Sequence, residues 1–199
     1  MTVITLPSDL VPNSASPFLR DFGGVLTPFL GGPEQRVNRL GMRLGLRCTM
    51  PPKLYRTSGR ILVSRLMRAR QDRLLMKWPL LGFNPGSFGA PLVSSIVTGG
   101  TALPIKGLTA GYVMLEGQPL SVIHAGRRYM HMASGDGTAN GSGNLTAGVW
   151  PPIRVSLSVN DVIELVPMIE GLVAPGEEIS WQMSIDKMVD VSFSVVESA

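Results

Sequence analysis

Residues 35–50 read QRVNRLGMRLGLRCTM, an alternation of apolar and mostly basic or small side chains. One parity holds Leu40, Met42, Leu44, Leu46, Cys48 and Met50, and the other holds Arg39, Arg43 and Arg47. Because a side-chain period of two belongs to a β-strand and excludes a helix, we predict one long strand from Gln35 to Met50. Its apolar face must be covered, while its arginine face meets water, an acidic neighbour or another subunit.

Composition points to an all-β protein. The chain has 199 residues, enough for one domain with an insertion or for two small domains. Aromatic residues make up only 6% of it, and 23 Gly with 16 Pro favour many short strands joined by turns. The single cysteine, Cys48, excludes an intramolecular disulfide, and its parity predicts a small buried side chain.

The sequence shows no sign of a membrane segment. No stretch approaches the roughly 18 continuous apolar residues of a membrane span. Residues 1–9 lack the basic region and apolar run of a secretory signal. We therefore expect cytoplasmic synthesis and no membrane insertion by this chain.

Charge is divided unequally along the chain. Residues 1–80 carry 13 Lys and Arg against 4 acids, net +9, whereas residues 81–199 carry 5 against 10, net −5. Such polarity favours head-to-tail contact between copies, or a basic surface that faces an acidic partner such as nucleic acid. No RNP, KH, helix-turn-helix or zinc-finger pattern is present, so specific nucleic-acid recognition is not expected.

The first part of the chain combines extended segments with one helix. Residues 1–34 are rich in Pro and Gly and predict extended arms and short strands. Ser58 predicts the N-cap of a helix that ends near Arg70, with Ile61, Leu62, Leu66 and Ala69 toward the core. Its arginines are a solvated face or a specific anionic contact. A strand from Leu74 to Trp78 follows.

Residues 82–91 are too rich in Gly and Pro for regular structure and mark a boundary. Six short strands after it predict a small barrel or sandwich, with hairpins at Ala125-Gly126 and across Gly135–Gly143. These predicted strands are Pro91–Val97, Ala102–Lys106, Leu120–His124, Arg127–Met132, Leu145–Val149 and Val162–Val166.

After a predicted turn at Pro175-Gly176, strong alternation returns in residues 179–185 and 189–195. These residues predict a hairpin that needs a sheet to join, and the 35–50 strand is its natural partner. The fold class expected is therefore mainly β: a discontinuous β-sandwich domain with one short helix, made of residues 1–87 and 175–199, and an inserted β-barrel or sandwich domain of residues 88–174.

Catalytic motifs are missing from the sequence. It has no phosphate-binding Gly-Lys-Ser/Thr loop, no Gly-x-Ser-x-Gly elbow and no His-Glu-x-x-His helix, so we predict no enzyme activity, catalytic residue, cofactor or metal. His124, His131 and Asp136 are the one set that resembles a metal or acid/base site, and ordinary strand residues are the expected alternative. The loop 134–143 contains Asp136 but lacks the terminal Glu and the alternating acids of an EF-hand, and it predicts a hairpin connection.

Several stretches together resemble one family. The chain is similar to distal-tail-type and minor tail proteins of long-tailed, siphovirus-like bacteriophages. The resemblance spans nearly the whole chain and is carried by residues 18–26, 30–41, 78–79, 82–86, 137–145, 150–154, 181–187 and 191–193.

The resemblance implies a structural virion protein at the tail tip. It implies a homo-oligomeric ring, a hexamer in this family, between the tail tube protein and the tip or baseplate hub, with DNA passing through the lumen without specific binding. Residues 1–87 and 175–199 would be the ring-forming belt. Residues 88–174 would project outward to hold tip proteins or tail fibres.

Two hypotheses about binding surfaces follow. We expect an interface between subunits or rings to use arginines of the strand and the helix, namely Arg39, Arg43, Arg47, Arg65 and Arg68. The alternative function is a non-catalytic binding module in which residues 88–174 bind a host-surface glycan or a receptor-binding protein. A glycan site would need an exposed aromatic platform, for which Tyr112, Tyr129 and Trp150 are available.

Overall fold

A computed structural model describes residues 2–7, 9–173 and 178–198. It is mainly β, as the composition predicts, with one helical segment among the described residues. The strands in chain order are β1 (Val3–Thr5), β2 (Ser14–Arg20), β3 (Gly24–Leu26), β4 (Gln35–Val37), β5 (Arg43–Thr49), β6 (Lys53–Leu54), β7 (Arg73–Lys77), β8 (Leu92–Val93), β9 (Gly100–Lys106), β10 (Val113–Met114), β11 (Pro119–His124), β12 (Arg127–Ala133), β13 (Gly137–Thr138), β14 (Leu145–Ile153), β15 (Val162–Glu164), β16 (Met168–Val173), β17 (Trp181–Met183) and β18 (Met188–Glu197).

The larger unit is a sheet with the strand order β1-β7-β16-β18-β5-β2. The strands β6 and β17 add to β18 outside this order. All of its pairs are antiparallel except β1 with β7. The prediction that the C-terminal strand joins the arginine strand is confirmed, because Ser194 of β18 lies opposite Arg47 of β5.

The prediction of one continuous strand from Gln35 to Met50 is wrong. Residues 35–37 pair with Gly24–Leu26 in a separate two-stranded sheet, and pairing resumes only at Arg43, opposite Arg20. The reason is a difference in length: five residues, 38–42, face only three, 21–23, so the ladder cannot continue in register. Residues 14–49 thus form one long hairpin that is interrupted near its middle.

The apolar parity of β5 faces the core, as predicted. Leu44, Leu46 and Cys48 are buried and pack in one cluster with side chains of the helix α1 (Arg60–Arg68). Alternation within a strand directs Arg43 and Arg47 to the opposite face. Leu40, at the other end of the same pattern, is exposed, because it lies in the interruption rather than in the sheet.

The helix begins later than predicted. Residues 55–59 form a π-helical turn in which Thr57 has non-helical angles, so α1 starts at Arg60. Ser58 does not cap the helix; its hydroxyl donates to Asp9 Oδ2 at 2.7 Å. This shift leaves Ile61 39% exposed and buries Val63 in its place, whereas Leu62, Leu66 and Ala69 are buried as predicted.

The second unit is a closed six-stranded barrel with the order β11-β12-β14-β9-β8-β15. Each of the six strands overlaps a segment that the sequence predicts as a strand, although β9 begins earlier, at Gly100, and β14 continues beyond Val149 to Ile153. The tight hairpin is also confirmed, because Ala125 and Gly126 both have positive φ, as a two-residue turn of the primed type requires. Side chains such as Leu103, Val122 and Val149 fill its own core.

The chain returns from the barrel earlier than residue 174. Met168–Val173, which the expected division assigns to the inserted domain, pairs with β7 and β18 in the large sheet. Its partners are strands of the first unit, so the change of sheet falls between Glu164 and Met168. The predicted turn at Pro175-Gly176 lies outside the described residues.

Gly171 allows β16 to approach β18 closely. A Cβ at this position would lie 2.1 Å from the carbonyl oxygen of Val196, a backbone atom that cannot turn aside. We therefore expect Gly171→Ala to lower the free energy of unfolding by about 1–3 kcal/mol, measured by urea denaturation. In the control, Gly24→Ala, the new Cβ meets nothing within 4 Å, and its effect should be smaller. Equal effects of the two changes would contradict the prediction.

Candidate functional site

The outer part of the long hairpin, residues 24–37, is exposed along its whole length. We call it the outer hairpin. Gly31 N donates to Pro28 O at 3.2 Å, and this turn places Phe29 and Leu30 at its two central positions. They are 102% and 94% exposed. Two large apolar side chains at the tip of a projecting hairpin are the usual sign of an interaction site.

The sheet face opposite the helix carries stacked arginines. Arg47 Cζ lies 5.0 Å from the ring centre of Phe18, while Arg20 and Arg43 lie 5.2 and 5.8 Å from that of Phe22. Each stack contributes about 0.5–1 kcal/mol at an exposed site and keeps the guanidinium in place. We call Arg20, Arg43 and Arg47 the arginine face.

Gly45 provides the space for one of these stacks. Phe18 lies directly across from it, and a Cβ at residue 45 would be 2.3 Å from Phe18 Cζ. Serines and a threonine surround the arginines. Ser16 and Ser194 lie opposite Arg47 on the two neighbouring strands. Ser192 Oγ donates a hydrogen bond to Thr49 Oγ1 at 3.3 Å. The result is a basic, polar surface.

The five predicted interface arginines do not form one group. Arg43 and Arg47 lie together on the arginine face, whereas Arg39 is exposed in the interruption at residues 38–42. Arg65 and Arg68 are on α1, which covers the other face of the sheet, and Arg65 donates to the carbonyl of Thr5. Arg20 is not among the predicted interface residues, because its strand has a weak alternation that Pro17 interrupts.

An apolar groove opens between the first residues of the chain and the sheet. Its volume is about 390 Å³. Val11, which is 65% exposed, and the exposed Lys77 lie at its opening. The other lining residues are mostly apolar and include Leu6, Pro7, Leu10, Ala15, Leu46, Met76, Trp78, Pro79 and Met168.

The edge strand β17 is a further exposed apolar region. Trp181 and Met183 are exposed, and Ile185 in the following turn is 100% exposed. They share the parity that the sequence analysis identified, but no layer among the described residues covers it. With the outer hairpin and the groove, β17 makes a third surface that suits a partner.

A buried ion pair connects the barrel to the sheet. Arg154 Nη2 of the segment after β14 lies 2.6 Å from Glu197 Oε1 at the end of β18. That oxygen also accepts from Met130 N of the barrel at 2.9 Å, and the Arg154 guanidinium lies 5.1 Å from the centre of the Tyr129 ring. Burial raises the pKa of Glu197, although Arg154 opposes this effect.

A second ionic group reinforces the same junction. Arg128 of β12 donates to both oxygens of Glu164, at 3.0 and 3.1 Å, and lies 3.6 Å from Glu170 of β16. Hydrogen bonding to Glu164 raises the pKa of Arg128. Arg73 of β7 also pairs with Glu170. These charges are largely enclosed and paired with one another.

His124, His131 and Asp136, the one set that resembles a metal or acid/base site, do not come together. His124 Nδ1 pairs with Asp161 at 2.7 Å, Asp136 accepts from Glu116 N, and His131 is buried with Nδ1 donating to Pro151 O at 2.7 Å. Within the described ranges, no three His, Cys, Asp or Glu residues are grouped as a metal site requires. Burial lowers the pKa of His131 to about 4 and raises that of Cys48 to about 12, so neither is poised to react.

The glycan hypothesis finds one exposed aromatic residue of the three. Tyr112 and Tyr129 are buried, and Trp150 is 45% exposed. A flat platform of several rings is therefore not formed by these residues. In the part of the chain that the structure describes, no helix has the length and apolar character needed to span a bilayer.

Comparison with known proteins identifies no family: no family model matches the chain, and no curated protein is similar to it in sequence.

Proposed function

We propose that this chain is a non-catalytic structural subunit of a phage tail that assembles into a ring at the distal end of the tail. The observation that carries the proposal is the outer hairpin, because Phe29 and Leu30 at its tip are fully exposed in the isolated chain. Burying such side chains stabilises a complex by about 1.5–3 kcal/mol each, which favours an assembled state.

The arrangement of surfaces supports a ring. A closed ring needs two different surfaces on each subunit, which meet head to tail and close by rotation. The chain presents an apolar projection and, separately, an apolar groove and a basic face. The edge strand β2 can add hydrogen bonds between subunits, because an edge strand pairs readily with another chain.

The partners follow from the resemblance to distal tail proteins. In this proposal the sheet forms the belt between the tail tube protein and the tip or hub protein. The barrel provides attachment points for tip proteins or fibres, and DNA passes through the lumen without specific binding. In this proposal the protein is located in the virion, at the tail tip, and the expected ring is a hexamer.

Mass photometry at low and high salt, followed by negative-stain imaging of any assembled peak, tests the proposal. A closed ring of about six copies is the expected result, whereas a protein that never assembles, alone or on tail tubes, would contradict it.

The arginine face provides the sharper prediction. Replacing Arg20, Arg43 and Arg47 together with Ser should weaken ring assembly roughly tenfold to a hundredfold, because three charge contacts of about 0.5–1 kcal/mol each contribute about 1.5–3 kcal/mol together. The matched control replaces Arg56, Arg60 and Arg70, which are exposed outside this face. A ring equally stable in both variants would rule out the arginine face as an interface.

A further inference from the structure

Two exposed features of the same chain are apolar, one a projection and the other a recess. The tip of the outer hairpin offers Phe29 and Leu30 as an apolar projection, and the groove at Val11 and Trp78 offers an apolar recess of about 390 Å³. The tip does not occupy the groove of its own chain, since every residue from 24 to 40 is exposed.

We infer that the outer hairpin of one copy inserts its tip into the groove of the next copy. This contact rests on the proposed function, and it specifies which two surfaces join neighbouring subunits. Five residues, Gly24 to Pro28, lead from the base of the outer hairpin to the turn at its tip. At about 3.3 Å per residue they span roughly 13 Å, enough for the tip to contact an adjacent subunit.

Charge favours a second copy as the occupant. Lys77 lines the groove and is exposed, and Glu34 is exposed four residues beyond Leu30, where it accepts from Thr27 Oγ1 at 3.5 Å. When the tip enters the groove, the Glu34 carboxylate and the Lys77 ammonium can approach as opposite charges. The chain therefore carries both the apolar and the ionic halves of the contact.

The contact is heterologous, because a tip meets a groove rather than another tip. Each subunit uses its tip on one neighbour and its groove on the other, and repetition gives a ring if the rotation closes. A change that disables the tip of a subunit leaves its groove intact, and the reverse also holds. This property provides a specific test.

The experiment uses two variants of the full chain that change exposed residues only. The tip variant carries Phe29→Ser with Leu30→Ser, and the groove variant carries Val11→Asp with Lys77→Glu. Each alone should weaken self-association by about a hundredfold or more, as expected for loss of central interface side chains. Mixed in equal amounts, they should form a one-to-one heterodimer, since one intact tip and one intact groove remain, and nothing larger.

The control is Ile96→Ser, which removes a 70% exposed apolar side chain from the barrel and should assemble like the wild type. Mass photometry and sedimentation velocity measure each sample. Rings that persist in the tip variant would overturn the inference and leave the proposed ring function standing. Tip-dependent open filaments would support the contact and contradict the closed ring. A wild-type chain that is monomeric at about 1 mM, or a mixture without heterodimer, would overturn the contact.

Discussion

Replacing Arg154 with methionine is expected to lower the free energy of unfolding by about 3–5 kcal/mol, because the change leaves a buried carboxylate without its partner. The side chains of Arg154 and Glu197 are 7% and 0% exposed, and their charged atoms lie 2.6 Å apart. Methionine replaces much of the volume of arginine, so lost packing is a minor part of the effect. Urea denaturation of both proteins at neutral pH measures it.

The matched control is Arg127→Met, which makes the same change at an exposed end of the same barrel. It should alter stability by less than about 0.5 kcal/mol. Removal of Arg154 also removes the charge that lowers the pKa of Glu197. The deficit of Arg154→Met should therefore shrink as the pH falls and Glu197 takes up a proton. A deficit below about 1 kcal/mol at neutral pH would show that the pair is not needed for stability.

Replacing His131 with glutamine is expected to make stability less sensitive to acid. Burial lowers the pKa of His131 from 6.5 to about 4, so below pH 6.5 the unfolded chain binds a proton that the folded chain does not. The contribution of His131 is fully present above pH 6.5 and is lost as the pH falls toward 4. The loss is about 3 kcal/mol, and glutamine does not titrate there.

Urea midpoints for wild type and His131→Gln, measured at intervals from pH 7 to pH 4, give the difference directly. The difference between the two proteins isolates the contribution of His131, because the carboxylates titrate in both. Glu197, whose effect on the pH dependence of stability has the opposite sign, is among these carboxylates. The control His124→Gln removes the other histidine and leaves His131 in place, so it should lose stability with falling pH in the same way as the wild type. If the urea midpoints of wild type and His131→Gln changed with pH in parallel, the lowered pKa of His131 would be contradicted.

The sequence predicts the fold well where one local pattern decides the structure. The parity of Leu44, Leu46 and Cys48 places the core face of β5, and Ala125-Gly126 predicts its hairpin. The pattern fails between residues 35 and 43, because parity continues through a segment in which the two sides of the hairpin differ by two residues. Register depends on the partner strand, and the partner cannot be read from one strand alone.

The candidate site could be predicted only in part. Arg43 and Arg47 follow from parity, but placing Arg65 on another surface requires knowledge of which sheet face α1 covers. The groove joins residues that are far apart in sequence, such as Leu10 and Trp78, and no local pattern marks it. The exposure of Phe29 and Leu30 is equally hard to predict from the sequence, since an apolar pair beside Gly-Gly-Pro is compatible with either a buried or a projecting turn.

The ion pairs at the junction have a mechanical consequence. Arg128 holds Glu164 of the barrel and approaches Glu170 of the sheet, while Arg154 reaches Glu197 at the end of β18. A force applied to the barrel would act on the sheet through these ion pairs. Because the charges are enclosed, water cannot replace either partner until the two charges have separated. The junction would therefore behave as a stiff joint under load and would transmit a torque applied to the barrel to the strands of the sheet.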